Sequence, residues 1–235
     1  MNVIITGASR GIGFDVALSL CNQGHRVLAV ARTGSGLEKL QSSARNAGSD
    51  KNLMILSADL TSEKDIQELV YTAKSLNGHV DVLINNAGVI INKPFENISP
   101  EELRHVYDVN VFAPFRLTQA LLPLMGGVSP SHIVNISSMG GVQGSVKFPG
   151  LSAYSSSKAA LSGLTELLAV ELQPKNIVVN CLALGAAQTE MLSKAFPDYK
   201  APLSSSEMAE WVVWFSLNGQ KFFNGKILPV AISTP

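Results

Sequence analysis

The chain has 235 residues, of which 46% are hydrophobic, and it carries 18 basic and 18 acidic side chains. A chain of this size and apolar content can bury a large core within one domain. The balanced charge, without a basic run or stripe, argues against a nucleic-acid partner. No apolar run approaches the roughly 20 residues that a membrane-spanning helix needs, and the opening apolar segment is too short for a secretory signal. We therefore expect a cytoplasmic protein without a membrane partner.

The cysteines and histidines show no arrangement that is typical of a metal site. Cys21 lies within a helical pattern and Cys181 at the end of an apolar strand, far apart in the sequence. Buried free thiols are favoured over a disulfide or a metal site, which fits a reducing cytosol. The histidines are scattered without ligand spacing, so we predict no metal. They are His25, His79, His105 and His132.

Apolar segments typical of strands alternate with amphipathic segments typical of helices. The predicted elements are, in order, a strand at Val3–Thr6, a helix ending near Gln23, a strand at Arg26–Ala31, a helix at Gly36–Ala47, a strand at Leu53–Ser57, a helix at Ser62–Leu76 and a strand at Val80–Asn85. They continue with a helix at Pro100–Met125, a strand at His132–Ser137, a helix at Ala153–Glu171, a strand at Ile177–Leu182, a helical segment and loop at Glu190–Ser205, a helix at Ser206–Ser216 and a strand at Gly225–Val230. This alternation predicts an α/β fold: a Rossmann-type, doubly wound parallel sheet of about seven strands with helices on both faces. We find no repeat or linker, and predict a single domain over residues 1–235.

Residues that favour caps mark several of these helix ends. Gly24 is placed to end the first helix, and Thr61 is a candidate N-cap for the helix before the fourth strand. Ser99 and Glu102 have the spacing of a capping box at the start of the long helix. Two prolines within that helix, Pro114 and Pro123, are expected to kink or end it.

A glycine-rich loop lies where the first strand passes into the first helix. Its residues are Thr6-Gly7-Ala8-Ser9-Arg10-Gly11-Ile12-Gly13. Gly7 permits a tight turn, Gly11 allows the backbone to approach a pyrophosphate, and Gly13 allows the helix to lie close to the strand. The helix N-terminus offers N–H groups and a positive dipole end to phosphates. A flexible loop without a ligand is the alternative interpretation.

The end of the second strand bears on which dinucleotide binds. Folds that hold NAD place an acid there for the adenosine ribose, but this strand ends Val30-Ala31-Arg32. Arg32, aided by Arg10, has the geometry to pair with a 2′-phosphate. NADP(H) is therefore favoured over NAD(H), the alternative being two surface arginines.

Tyr154 and Lys158 lie four residues apart and face the same side of a predicted helix. A free tyrosine titrates near pH ~10 and is a poor acid or base at neutral pH. A nearby ammonium stabilises the phenolate and is expected to lower the pKa of the tyrosine, towards the range of general acid–base catalysis. Alone the pair is weak evidence, because a packed tyrosine beside a solvated lysine gives the same spacing.

Taken together, the motifs resemble those of the short-chain dehydrogenase/reductase family over nearly the whole chain. Within the family they resemble carbonyl reductases and 3-oxoacyl-(acyl-carrier-protein) reductases. The resemblance rests on the loop Thr6–Gly13, Asp59-Leu60 after the third strand, Asn85-Asn86-Ala87-Gly88 after the fourth, Asn110, Ser138, and the pair Tyr154 and Lys158. It implies a hydride transfer between a nicotinamide and a carbonyl or secondary alcohol, with the protein supplying placement and electrostatics.

The resemblance also implies a role for each matching residue. Tyr154 is expected to donate the proton in carbonyl reduction, Lys158 to hold the nicotinamide ribose, Ser138 to bind the substrate oxygen, and Asn110 to anchor a proton relay to Lys158. The expected cofactor contacts are Thr6, Gly7, Ser9, Arg10, Gly11, Ile12 and Gly13 at the pyrophosphate, Arg32 at the 2′-phosphate, Asp59 and Leu60 at the adenine, Asn85, Ala87 and Gly88 at the adenosine and ribose wall, and Tyr154, Lys158, Gly185 and Thr189 near the nicotinamide.

Several assignments keep an alternative. Ser137 competes with Ser138 for the role of catalytic serine, Asp59 has the alternative of capping the following turn, and Asn110 that of an ordinary helix residue. The segment around 190–205 lies where the family has a mobile substrate lid, and Phe196 and Tyr199 within it are candidate substrate contacts.

The sequence thus predicts an NADP(H)-dependent reductase of a ketone, aldehyde or 3-oxoacyl group. The alternatives are an NAD(P)-dependent alcohol or sugar dehydrogenase that works oxidatively, and a dinucleotide-binding regulatory protein without turnover. By resemblance, the helices around Pro100–Met125 and Ala153–Glu171 are expected to pair in a homodimer or homotetramer. Trp211, Trp214 and Phe215 are expected to serve core packing or a subunit contact.

Overall fold

The computed structural model describes residues 1–232, and its strands and helices alternate as the sequence predicts. The last three residues of the predicted domain, 233–235, lie outside the described residues. The main strands are β1 (Asn2–Thr6), β2 (Arg26–Ala31), β3 (Leu53–Ser57), β4 (Val82–Asn85), β5 (Ser131–Ser138), β6 (Ile177–Leu184) and β9 (Ile227–Val230), and two short strands are β7 (Ala187–Gln188) and β8 (Leu203–Ser204). The helices are α1 (Gly11–Asn22), α2 (Gly34–Asn46), α3 (Glu63–Ala73), α4 (Pro100–Tyr107), α5 (Ala113–Leu121), α6 (Ser152–Glu171), α7 (Glu190–Ala195) and α8 (Ser205–Asn218).

Seven strands form one sheet in the order β3-β2-β1-β4-β5-β6-β9, and every neighbouring pair is parallel. From β1 the chain winds outward through β2 and β3, then returns to β4 on the other side of β1. This order opens a crevice outside the carboxyl ends of β1 and β4, where open α/β sheets bind their ligands. The predicted doubly wound Rossmann-type sheet is confirmed.

Helices cover both faces of the sheet, which explains why its strands are apolar on both sides. Val3 and Ile5 of β1 pack into one buried cluster with residues of α1, α2 and α8. Ile4, between them, points to the opposite face and packs with residues of α3, α5 and α6. The core therefore has two layers, and the sheet separates them.

The predicted helix Pro100–Met125 is the largest departure from expectation. Its start is confirmed, because Ser99 and Glu102 form a full capping box. However, α4 gives way to a π-helical turn at Asp108–Phe112 before α5 begins. Such turns insert one residue into a helix and are frequent at functional sites.

The two prolines take the places that their missing N–H allows. Pro114 lies in the first turn of α5, where no intrahelical partner is lost, and Pro123 lies in the 3₁₀ turn that ends the segment. The predicted N-cap Thr61 is wrong: Ser62 caps α3 by accepting the Asp65 N–H. Gly24 has a φ of +83° just after α1, as expected for a residue that ends a helix.

The C-terminal third has one feature that the sequence did not predict, a short strand β7 that pairs with β8 in a separate parallel ladder. The small helix that the sequence predicted within the segment 190–205 is α7. On α8, Phe215 is buried, whereas Trp211 and Trp214 are 42% and 46% exposed and stack with ring centroids 5.1 Å apart. Within residues 1–232, no helix is both long and apolar enough to cross a bilayer.

Candidate active site

A cavity of about 670 Å³ lies outside the carboxyl ends of the strands and collects most of the predicted site residues. The predicted residues that line it are Gly7, Ser9, Arg10, Gly11, Ile12, Gly13, Arg32, Asp59, Leu60, Ala87, Gly88, Ser138, Tyr154, Lys158, Gly185 and Thr189. Three others, Thr6, Asn85 and Asn110, are buried behind its wall. The cavity also has lining residues that the sequence did not single out: Lys39, Asn86, Ile90, Met139, Phe148, Leu151, Leu184 and Met191.

The glycine loop brings backbone against backbone at the start of α1. Gly7 has a φ of +71°, and a Cβ on it would stand 2.8 Å from the Ala87 Cα. A Cβ on Gly13 would stand 2.4 Å from the Gly7 carbonyl oxygen. Real Cβ atoms do not approach other atoms so closely, so only glycine permits this fold of the loop.

The N-terminus of α1 has the chemistry of an anion site. Arg10 occupies the N-cap position, no side chain caps the helix, and its first turn holds no acidic residue. The first N–H groups therefore lack a side-chain acceptor, and the helix dipole adds positive potential. These features fit the pyrophosphate of a dinucleotide.

Thr6 and Asn86 tie the glycine loop to the segment after β4. The Thr6 hydroxyl oxygen accepts the N–H groups of Asn86 and Ala87, both at 3.0 Å, and the Asn86 side-chain Nδ2 donates to the Thr6 carbonyl at 2.9 Å. Thr6 therefore positions this part of the cavity wall without lining the cavity itself. Asn86, rather than the predicted Asn85, lines that wall.

Asn85 belongs instead to a buried polar chain that joins β4, β5 and α6. Its Nδ2 donates to Asn135 Oδ1 at 2.8 Å, and Asn135 Nδ2 donates to Thr165 Oγ1 at 2.9 Å. Asn85 and Asn135 stand opposite each other in the parallel ladder. Two asparagines at matching places in neighbouring strands were the sequence signal for this pairing.

Two cations and one carboxylate line the part of the cavity beside the end of β2, α2 and the segment after β3. Arg32 and Lys39 are both exposed there, and Lys39 lies on α2, shortly after Arg32 in the chain. Asp59 caps the following turn by accepting the N–H and hydroxyl of Thr61, at 2.9 and 2.8 Å. These hydrogen bonds, the backbone one first, lower the pKa of Asp59, and the Arg32 charge contributes less.

Arg10 has a different partner from the one expected. Its guanidinium pairs with Glu190 at 2.9 Å, and both side chains are largely exposed. Glu190 is the first residue of α7. Arg10 therefore links the glycine loop to the predicted lid.

Tyr154 and Ser138 meet at the centre of the cavity. Burial raises the pKa of Tyr154 above its ordinary value, and interaction with the Ser138 hydroxyl opposes this shift only in part. The expected lowering by Lys158 is not found, because burial dominates and the Lys158 Nζ lies 5.8 Å from the centre of the tyrosine ring. The phenol thus remains protonated at neutral pH in the protein alone.

Lys158 is 3% exposed and is held to β5 at two points. Its ammonium donates to the Ile136 carbonyl at 2.8 Å, and its own carbonyl accepts the Ser137 hydroxyl at 2.9 Å. Burial lowers the pKa of Lys158 to about 8. Ser137 thus anchors the backbone of Lys158, while Ser138 is the serine that faces the phenol.

Asn110 lies in the π-helical turn and is fully buried. Its Oδ1 accepts the Val89 N–H at 2.9 Å, and its Nδ2 donates to Ser157 Oγ at 2.9 Å. Asn110 Oδ1 and Lys158 Nζ each lie 3.3 Å from the point where a Cβ on Gly88 would stand. The glycine therefore leaves open space between the amide and the ammonium.

The comparisons with known proteins agree with this geometry. The family model described as short chain dehydrogenase matches residues 1–200. The chain is 36% identical over 190 residues to a ketoacyl reductase, HetN, from Nostoc sp., with coverage of 80% of this chain and 64% of that protein. It is 34% identical over 205 residues to an NADPH-dependent pterin aldehyde reductase from Arabidopsis thaliana, with coverage of 85% of this chain and 82% of that protein.

A solved structure of similar fold is the 3-ketoacyl-(acyl-carrier-protein) reductase from Brucella melitensis complexed with NADH. The TM-score is 0.87 at 28% identity, and the alignment covers 97% of this chain and 96% of that chain. The fold, the family model and the relatives point to one conclusion. The chain belongs to the short-chain dehydrogenase/reductase family of NAD(P)-binding oxidoreductases.

Proposed function

We propose that this protein is an NADP(H)-dependent carbonyl reductase that acts on a ketone, an aldehyde or a 3-oxoacyl group. The observation that carries the proposal is the convergence of Ser138, Tyr154 and Lys158 on one cavity, next to a glycine loop whose helix N-terminus suits a pyrophosphate. The reductive direction is supported by two similar proteins that are named as reductases, a ketoacyl reductase and an NADPH-dependent pterin aldehyde reductase.

In this mechanism each side chain has one task. Tyr154 donates its proton to the substrate oxygen, and the Ser138 hydroxyl donates a hydrogen bond to the same oxygen as negative charge grows there. Lys158 binds the ribose hydroxyls, and Asn110 anchors a proton relay towards Lys158. The bound nicotinamide supplies the hydride.

The test is turnover of NADPH, followed by its absorbance, with aldehydes, diketones and 3-oxoacyl thioesters. Tyr154→Phe removes the proton donor and should lower kcat by about 10²–10⁴-fold while NADPH still binds. Tyr71→Phe is the matched control, because Tyr71 is 77% exposed and lies outside the cavity lining. Equal activity of Tyr154→Phe and wild type would overturn the proposal.

The preference for NADP(H) rests on the cations at the adenine end. Arg32 and Lys39 both line the cavity there, and no acid ends β2. Arg32→Asp should weaken NADPH binding by at least about tenfold, in line with the loss of a charge-assisted contact, and should favour NADH. Arg26→Asp, at the opposite end of the same strand, is the control. Equal use of NADPH and NADH by the wild type would contradict this preference.

We also propose a homodimer or homotetramer formed through the helices around α4, α5 and α6. Support comes from large apolar side chains that these helices expose: Leu103, Phe115, Leu167 and Val170. Light scattering on the purified protein tests this, and a monomer at micromolar concentration would refute it.

A cytoplasmic location is proposed as well, supported by two buried free thiols, Cys21 and Cys181. Export of the protein from the cytoplasm, seen by cell fractionation, would refute this location.

A further inference from the structure

The end of the cavity beyond Ser138 and Tyr154 differs in chemistry from the cofactor end. Its lining is formed by apolar and aromatic side chains from the segment after β4, the loop before α6, and the lid. These side chains include Ile90, Met139, Phe148, Leu151, Met191 and Phe196, together with Tyr199, the one that carries a hydroxyl.

We propose that this end takes a neutral carbonyl compound with a flat apolar body, an aryl aldehyde or aryl ketone, packed against the pair of rings Phe148 and Phe196. The inference rests on the proposed function and names the substrate class of that same site. The carbonyl would point to Ser138 and Tyr154, and the aryl ring with its para substituent would lie within the apolar lining of this end.

The charges of the cavity support a neutral substrate. Among the described residues, the charged side chains that line it are Arg10, Arg32, Lys39, Asp59, Lys158 and Glu190. Four of them belong to the glycine loop, the turn after β2, α2 and the segment after β3, at the cofactor end. Lys158 donates to a backbone carbonyl at the centre, and Glu190 is paired with Arg10. Among the described lining residues no unpaired cation is left at the substrate end for a buried carboxylate, whose burial without a charged partner is costly.

The aromatic pair joins two segments that are distant in the chain. The Phe148 and Phe196 ring centroids lie 6.1 Å apart with the rings at 64°, an edge-to-face arrangement. Aromatic rings favour such contacts at about this spacing, so a third flat ring can add to the pair without loss of geometry. Phe148 is 42% exposed and therefore has apolar surface left for a ligand to cover.

Both segments are held in place by polar contacts that flank the pair. Lys147 Nζ donates to the Gly140 carbonyl at 2.9 Å and also to Val142 and Ser145, so its hydrogen-bond donors are occupied within the loop. On the lid side, Asn92 Nδ2 donates to the Ala195 carbonyl at 2.8 Å. The aromatic pair is thus positioned by the residues beside it.

The first experiment compares two substrates of similar shape and different charge. The wild type with NADPH is assayed on para-isopropylbenzaldehyde and para-carboxybenzaldehyde. We expect kcat/KM to be higher for the isopropyl compound by on the order of 10²-fold, because the carboxylate must be buried without a partner. A carboxyl compound that is used equally well or better would overturn the inference.

The second experiment tests the two rings themselves. Phe148→Ala and Phe196→Ala should each raise KM for para-isopropylbenzaldehyde by about tenfold, as expected for the loss of an aromatic contact and its buried area. Phe148→Arg should shift the preference towards the carboxyl compound. Phe95→Ala is the matched control, because Phe95 is 79% exposed and lies outside the cavity lining. An unchanged KM in both alanine variants would contradict the proposed contact between the substrate and the two rings.

A binding measurement separates this inference from the proposed function. Calorimetry with para-isopropylbenzamide, which has the same body and is not reduced, reports the substrate end without turnover. Binding that is weakened by Phe148→Ala but not by Phe95→Ala supports the inference even if no aldehyde is reduced, in which case the proposed function alone fails. An absence of binding to the wild type overturns the inference, whatever the enzyme reduces.

Discussion

The two ends of the cavity are built from different kinds of contact. At the cofactor end, backbone meets backbone, as where Gly13 leaves no room for a Cβ beside the Gly7 carbonyl. At the substrate end, side chain meets side chain, as where the edge of one aromatic ring packs on the face of the other in the pair Phe148 and Phe196. The first arrangement follows from one strand, one turn and one helix that are consecutive in the chain. The second depends on segments about fifty residues apart, so it can change without disturbing the cofactor end.

The largest effect is expected at Gly13, where the contacts of the cofactor end are closest. In Gly13→Ala the new Cβ would stand 2.4 Å from both the Gly7 carbonyl oxygen and Asn86 Nδ2. The backbone must move, and we expect a loss of about 2–3 kcal/mol in the free energy of unfolding, typical of overpacking, together with a loss of dinucleotide binding. Denaturant unfolding and NADPH fluorescence measure the two effects.

Gly163→Ala provides the control for this prediction. Gly163 lies in α6, and a Cβ there would meet nothing within 4 Å. The change should stabilise the protein by about 0.5–1 kcal/mol, because alanine favours a helix over glycine. If both alanine variants had the same stability, the close backbone contact at the glycine loop would be refuted.

An effect of the opposite sign is expected on replacing Lys158, where the two ends meet. Burial lowers the pKa of Lys158 from its ordinary 10.5 to about 8. Between these pH values the unfolded chain binds more protons, so the free energy of unfolding rises as the pH increases through that window, by about 3 kcal/mol. Below pH about 8 the buried ammonium of Lys158 is charged, and it destabilises the folded protein by this full amount.

Lys158→Met should therefore be more stable than the wild type at pH 7, although it should lose turnover. The lost hydrogen bond to the Ile136 carbonyl offsets about 1 kcal/mol, which leaves a gain of about 2 kcal/mol. The gain should shrink as the pH rises from 8 towards 10. Chemical denaturation of both proteins across this range measures it, and a variant that is less stable at every pH would refute the assignment.

The same comparison explains which parts the sequence predicted. The glycine loop, Asp59 and the Tyr154 helix were predictable because each depends on a strand end or a helix face that is local in sequence. Asn85 and Asn86 were exchanged, because the choice depends on which amide turns towards Asn135 in the neighbouring strand. The π-helical turn at Asn110 and the Phe148–Phe196 contact were not predicted, since both arise from packing between distant segments.

The smallest expected effect concerns the ion pair that links the glycine loop to the lid. Arg10 and Glu190 are largely exposed, so their pair contributes little to stability, about 0.2–1 kcal/mol. Glu190→Gln should leave the melting temperature nearly unchanged. It should also free the Arg10 guanidinium for a phosphate and lower the Kd for NADPH by about 1.4-fold to fivefold, the same energy expressed as affinity.

The control for this pair is Lys194→Gln, which changes a charge elsewhere on α7 without touching Arg10. The gain in Glu190→Gln should disappear at high salt, because exposed charges are screened. It should also be absent in the double variant with Arg10→Gln, because the cation that gains from the change is then gone. A gain that persists in the double variant would mean that Glu190 acts on the cofactor by another route, and that the two ends of the cavity are not linked through Arg10.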